Sequence, residues 1–148
     1  MSERVAEHCT TIRVRYADTD AGGVVYHANY IVWLEAARTE CLRAHDVPYT
    51  ELQAVGVHLP VVDLGVRYRR PALYDQLIEV WVSIVELGRA RVHFAYRLQL
   101  PGDSRSLATA HTVHAVTDAQ GRVLRLDRYP ALWTKIRAAA AALGPSSA

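Results

Sequence analysis

Cysteine is scarce, with only Cys9 and Cys41 in 148 residues. Two thiols make no disulfide framework, so the fold must hold by its core, and a reduced, cytoplasmic protein is expected. Long apolar runs are missing too. No stretch approaches the ~20 residues of a membrane span, and the N-terminus lacks the apolar segment of a signal peptide. Charge of one sign is not in excess. The net value is +2, so no field argues for nucleic acid or an acidic membrane as partner. Lysine is almost absent, sixteen of the seventeen basic residues being arginine. Arginines lining a groove would suit a phosphate-bearing ligand, while a compositional bias explains them more readily.

Chemical fingerprints are lacking as well. There is no glycine-rich phosphate loop, no Gly-x-Ser-x-Gly and no serine with a neighbouring base. No set of histidine, cysteine and carboxylate has metal-ligand spacing. His111 and His114, three apart on an expected strand, face opposite sides. His93 lies on the polar face of its strand, and His8, His45 and His58 fall at ends or in loops. The sequence implies no metal and no cofactor. Carboxylate-based catalysis, or none, is what remains.

What is present is patterned. After a loose terminus over 1–8, Ile12, Val14 and Tyr16 alternate with Thr11, Arg13 and Arg15, which predicts a half-buried strand from Thr10. Asn29 is placed to cap a helix whose inner side carries Tyr30, Trp33, Leu34, Ala37, Cys41 and Ala44. Glu35, Arg38, Thr39 and Arg43 form its polar side, and Asp46-Val47-Pro48 ends it. A short second helix from Tyr49 to Val55 stops at Gly56. Strands follow: Val62 to Tyr68, Ile78 to Ile84, Val92 to Leu100 and 106–117, with a short one over 122–125. Pro130 opens a C-terminal helix that runs to Gly144-Pro145, and the tail after it is loose. Antiparallel strands with one early buried helix indicate an α+β fold, a single domain over 1–148 in which the sheet curls round the helix. Its open edges need covering or pairing, so one edge or face is expected to meet another subunit.

Between the first strand and the long helix lies Arg15-Tyr-Ala-Asp18-Thr-Asp20-Ala-Gly22-Gly23-Val-Val-Tyr26-His27-Ala-Asn-Tyr30. One residue separates Asp18 from Asp20, so in extended chain both point one way. Gly22 and Gly23 release the backbone where it must turn or approach a ligand, and the helix start aims N–H groups at the loop. An aspartate in such a turn most often caps local N–H groups. Set among Tyr26, His27 and Tyr30, it could also attack an activated acyl carbon or take a proton from water. His27 has two readings: its imidazole acts as acid or base, or its backbone N–H stabilises an oxyanion. Arg67, Arg69, Arg70, Arg89 and Arg91 are candidate anion contacts, each alone a solvated arginine.

Arg13-Val14 followed by Thr19-Asp20-Ala-Gly-Gly23-Val24-Val-Tyr26-His27 resembles the active-site signature of the 4-hydroxybenzoyl-CoA thioesterase family. With Glu35-Ala-Ala-Arg38-Thr-Glu40 and Val66-Arg67-Tyr68-Arg69-Arg70-Pro71-Ala72, the chain looks closest to the Tol–Pal-associated acyl-CoA thioesterase subgroup. The resemblance implies a hotdog fold, an antiparallel sheet around one helix, assembled as a homodimer or homotetramer with sites between subunits. It implies an acyl-CoA substrate, with acyl-carrier-protein esters as a further class. Asp20 is then the catalytic carboxylate, His27 supplies a backbone N–H and in the closer subgroup its side chain, and Tyr16 lies near the pocket. Gly23, Val24, Tyr26 and Tyr30 are expected to line the substrate site. Arg89 and Arg91 would hold CoA phosphates, although Gly88 and Ala90 interrupt what is more densely basic in some relatives. A non-catalytic acyl-CoA or acyl-carrier-protein binding module is the rival expectation.

Overall fold

The computed structural model describes residues 6–144. Its strands are β1 (His8–Arg13), β2 (Val61–Tyr68), β3 (Leu77–Leu87), β4 (Arg91–Gln99) and β5 (Ser106–Ala115). Its helices are α1 (Asn29–Ala44), α2 (Tyr49–Ala54) and α3 (Pro130–Ala142). The five strands form one sheet in the order β1-β3-β4-β5-β2, and every pairing is antiparallel.

Alternation decides the sheet's inner face. Ile78, Val80, Val82 and Ile84 of β3 and Val92, Phe94, Tyr96 and Leu98 of β4 are all buried, as period-2 spacing on a one-sided sheet requires. Against them lies α1, which buries Tyr30, Trp33, Leu34, Ala37, Cys41 and Leu42. Ala37 and Cys41 are fully enclosed; their small side chains let helix and sheet approach. Burial pushes the Cys41 thiol up to about 12, so it packs as an apolar group. Helix α3 adds Leu132, Ile136 and Ala139 to the same core.

Both early helices end alike. After α1, Val47 N–H bonds Leu42 C=O (2.8 Å) and Asp46 N–H bonds Arg43 C=O (3.1 Å), with Asp46 left-handed at φ 64°. After α2, Val57 and Gly56 repeat the pair towards Leu52 and Gln53, and Gly56 has φ 75°. These are Schellman ends, and in each the flanking apolar pair is buried. The reversals bring the chain back to the sheet as β2.

Several expectations are corrected. β1 starts at His8, paired with Val82, and Ala6 N–H bonds Gly144 C=O (3.4 Å), so 6–8 are not loose; the rest of both expected tails lies outside the described residues. Tyr16 is not on a strand. It opens a 3-10 turn over Tyr16–Asp18 and is 78% exposed, because Asp18 draws the chain back onto Arg15. Asn29 does not cap α1; Ala28 holds that place without a side-chain bond, since the Asn29 amide is engaged elsewhere. Leu42 replaces Ala44 on the buried side. β5 ends at Ala115, and 122–125 supplies one bridge, Thr117 to Val123, in place of a strand. β2 is an edge strand with Val61, Val62 and Tyr68 exposed, and its outer edge pairs with nothing among the described residues.

Candidate active site

Asp18 organises the loop before α1. Its buried carboxylate takes the Arg15 backbone N–H at 2.8 Å and the guanidinium at 2.9 Å. The hydrogen-bonded Arg15 side chain holds it below the usual carboxylate range, against the opposing effect of burial. The Asp18 carbonyl accepts Tyr26 N–H (2.9 Å) and the Asn29 side-chain amide (2.8 Å). That ties the loop to the first residue of the helix. Val25 N–H adds a bond to Ala72 C=O (2.9 Å).

Between these anchors Asp20 heads a tight reversal. Its N–H bonds Val24 C=O (2.9 Å), and its own C=O accepts Gly23 N–H (3.0 Å). Gly23 turns the chain at φ 81°, a conformation open to glycine at little cost. Asp20 Oδ1 accepts Gly22 N–H at 2.8 Å, the local bond expected of a turn aspartate. Oδ2 has no partner among the described residues, and the side chain is exposed. The two carboxylates therefore do not share a setting. Their one-residue spacing would align them only in extended chain, and the 3-10 turn that ends at Asp18 breaks that alternation.

At the helix start, the N–H groups of His27 and Ala28 donate to no protein acceptor among the described residues. The His27 ring is exposed, tilted against Tyr26 at 4.5 Å and edge-on to Tyr68 at 6.5 Å. Tyr30 is buried, and its hydroxyl accepts Ala72 N–H (3.0 Å). Val24, Val25, His27, Tyr30, Tyr68, Arg69, Arg70 and Pro71 line a cleft of about 290 Å³. Of these, the sequence pattern gives Tyr68 no role and offers Arg70 only as a candidate anion contact. Arg70 reaches Asp103 (3.3 Å) and Arg105 C=O (2.6 Å).

Other expected site residues lie apart. Tyr16 stands edge-on to Tyr74 at 5.8 Å and lines no part of this cleft. Asp20 sits outside it. Arg89 and Arg91 are at the other end of the sheet. Tyr68 and Leu98 both pair with Ala108, while Arg91 pairs with Ala115; those seven residues along β4 amount to roughly 23 Å. Arg89 is 3.4 Å from Asp127, and Arg91 makes no ion pair among the described residues.

A second cleft, of about 500 Å³, lies at the Val61 end of β2, lined by Glu35, Arg38, Thr39, Leu42, Tyr49, Leu59 and Val61. Behind it runs a buried polar chain that periodicity does not reveal. The Leu59 carbonyl can only accept, so His114 donates through Nδ1–H (2.8 Å) and accepts Thr112 O–H at Nε2 (2.9 Å). Thr112 then accepts Tyr96 O–H (2.7 Å), and Tyr96 accepts Arg38 N–H (3.3 Å). Burial pushes His114 down to about 4. His111, on the opposite face, meets Asp63 at 3.0 Å.

Residues 14–142 match the family model described as the thioesterase-like superfamily. The chain belongs to that superfamily. As a thioesterase-like protein it is 41% identical over 87 residues to the acyl-CoA thioester hydrolase YbgC of Escherichia coli O6:H1, across 59% of this chain and 65% of that one. It is 32% identical over 114 residues to the 1,4-dihydroxy-2-naphthoyl-CoA hydrolase of Synechococcus elongatus, across 74% and 80%. The structure of the DHNA-CoA thioesterase from Staphylococcus aureus superposes with a TM-score of 0.80 at 28% identity, covering 89% of this chain and 91% of that one. The hotdog architecture is thereby shown, and the protein takes its place among hydrolases.

Proposed function

We propose that this enzyme hydrolyses acyl-CoA thioesters to a free acid and CoA, with Asp20 as nucleophile or general base. The carrying observation is the pairing of two free groups on one braced loop. Asp20 keeps an open carboxylate oxygen, and the Asp18–Asn29 bond fixes its loop to the helix end where the His27 N–H is unpaired among the described residues. That N–H, at the positive end of α1, would receive the thioester carbonyl oxygen.

The chemistry balances without a metal. Attack of Asp20 on the carbonyl carbon gives a tetrahedral oxyanion; its collapse breaks the C–S bond and expels the CoA thiolate. Water then opens the mixed anhydride. As general base, Asp20 takes the proton of an attacking water and returns it to the leaving sulfur.

The free edge of β2 supports a site shared between two copies. If two β2 strands pair antiparallel, the Tyr68 end of one chain meets the Val61 end of the other. Each motif loop then faces the partner's larger cleft, and the Arg89–Arg91 end of the partner comes within reach of a CoA bound there. A homodimer of this kind, or a tetramer built from it, is the assembly we infer. Gly23, Val24, Tyr26 and Tyr30 stand as substrate-side residues, and Tyr16 with the His27 side chain as further members on the solvent side. Flat or short acyl groups suit these aromatics, and the run from Asp18 to Tyr30 supports placement near the Tol–Pal-associated subgroup.

A thiol-release assay over short-chain, aromatic and long-chain acyl-CoA esters, with acyl-carrier-protein esters alongside, tests the reading. Cleavage fastest for a short or aromatic acyl-CoA is expected. Tight binding without cleavage of any ester would contradict it and favour a binding module.

A further inference from the structure

The hydroxyl of Tyr68, at the end of β2, donates to the His27 carbonyl at 2.7 Å across a separation of 41 residues. That carbonyl belongs to the peptide whose N–H is Ala28's. A trans peptide sends its C=O and N–H in opposite directions, so a donor that fixes the carbonyl on the Tyr68 side aims the Ala28 N–H the other way. The preceding peptide is braced in the same fashion: the Tyr26 carbonyl accepts Asn29 N–H (2.9 Å), and its N–H is that of His27. Both N–H groups are left unpaired among the described residues, and both have an engaged carbonyl behind them.

The tyrosine, though partly exposed, is held through its ring and its backbone. Its ring stands edge-on to Tyr30 at 5.0 Å, with planes at 86°, and Tyr30 is fixed through its bond with Ala72 N–H. Its backbone pairs with Ala108 on β5. Burial, then the neighbouring Tyr30, pushes the Tyr68 phenol above its ordinary range, so the hydroxyl stays a donor through neutral and mildly alkaline pH.

We infer that Tyr68 is a positioning residue for hydrolysis: through the His27 carbonyl it orients the Ala28 N–H as a second donor, beside that of His27, to the thioester oxyanion. This rests on the thioesterase reading. A hydrogen bond to an amide carbonyl also polarises the amide and strengthens its N–H as a donor. The effect is felt as charge develops, not as substrate binds, so it belongs to kcat.

Tyr68→Phe keeps the ring and removes only the donor. With the best ester of the panel, kcat is expected to fall about tenfold while KM stays within about twofold, with an unchanged unfolding midpoint. The backbone amide resonances of Ala28 and His27, followed by NMR in the ligand-free protein, should shift, Ala28 the more. A kcat within about twofold of wild type, a change confined to KM, or an unmoved Ala28 amide would overturn the proposal. If the wild type cleaves no thioester, the thioesterase reading fails, and the catalytic role with it. An active wild type with an unaffected Tyr68→Phe variant overturns the Tyr68 role alone.

Discussion

Both oxygens of Asp18 are taken by Arg15, through the guanidinium and the backbone N–H, and its carbonyl holds two further donors. Asp20, two residues on, gives one oxygen to Gly22 and leaves the other to solvent. The first set of bonds fixes a loop; the second leaves a reagent available. Asp18→Asn should therefore act on stability, costing about 1 kcal/mol by setting a buried amide NH2 where the carboxylate accepts from the Arg15 backbone N–H and its exposed guanidinium, as read from denaturant unfolding at neutral pH. Its carboxyl is lowered by Arg15, so its contribution is complete at neutral pH. It is lost only as pH falls below about 4, through the folded-state value. An Asp18→Asn protein as stable as wild type would show that the loop is braced by something else. The sequence pattern favours neither acid over the other. Only the signature resemblance singled out Asp20, since the burial that separates the two depends on a 3-10 turn with no periodic mark.

At the scale of elements, the buried chain Arg38–Tyr96–Thr112–His114–Leu59 joins α1, β4, β5 and the segment leading into β2. His114 is held neutral by burial, down at about 4, whereas unfolded it would titrate near 6.5. The unfolded chain thus binds more protons between those values, and stability must drop as pH falls from about 6.5 towards 4, by roughly 1–3 kcal/mol in total. Unfolding midpoints at pH 7 and pH 5 read this directly. His114→Gln should flatten the slope in that window, and an unchanged slope would remove His114 as its cause. Elements with strong periodicity were legible: β3, β4 and α1 bury the residues their spacing selects, because each packs one side on a core. Edge and polar features were not. β2 alternates like an inner strand yet leaves Val62 exposed at 57%. The Tyr68 bond to His27 spans too much sequence for any local pattern to carry.

For the whole molecule, the proposed dimer rests on the β2 edge, unpaired among the described residues, and on the two clefts at its ends. Single-sign charge placed on that edge should separate copies, as like charges do at paired strands. Val62→Asp is expected to shift the protein from dimer towards monomer in light scattering and to remove activity in parallel, with the monomer's secondary structure kept. A dispersed monomer that still turned over at the wild-type rate would show the site to be complete in one chain.

The central claim is that Asp20 acts on the thioester. Steady-state thiol release by Asp20→Asn, with the acyl-CoA ester the wild type cleaves fastest, tests it most directly. Asparagine keeps the bond from Gly22 N–H and removes the negative charge, so fold and assembly should be unchanged. The expected kcat is at least about 100-fold lower. Turnover equal to wild type would contradict the account.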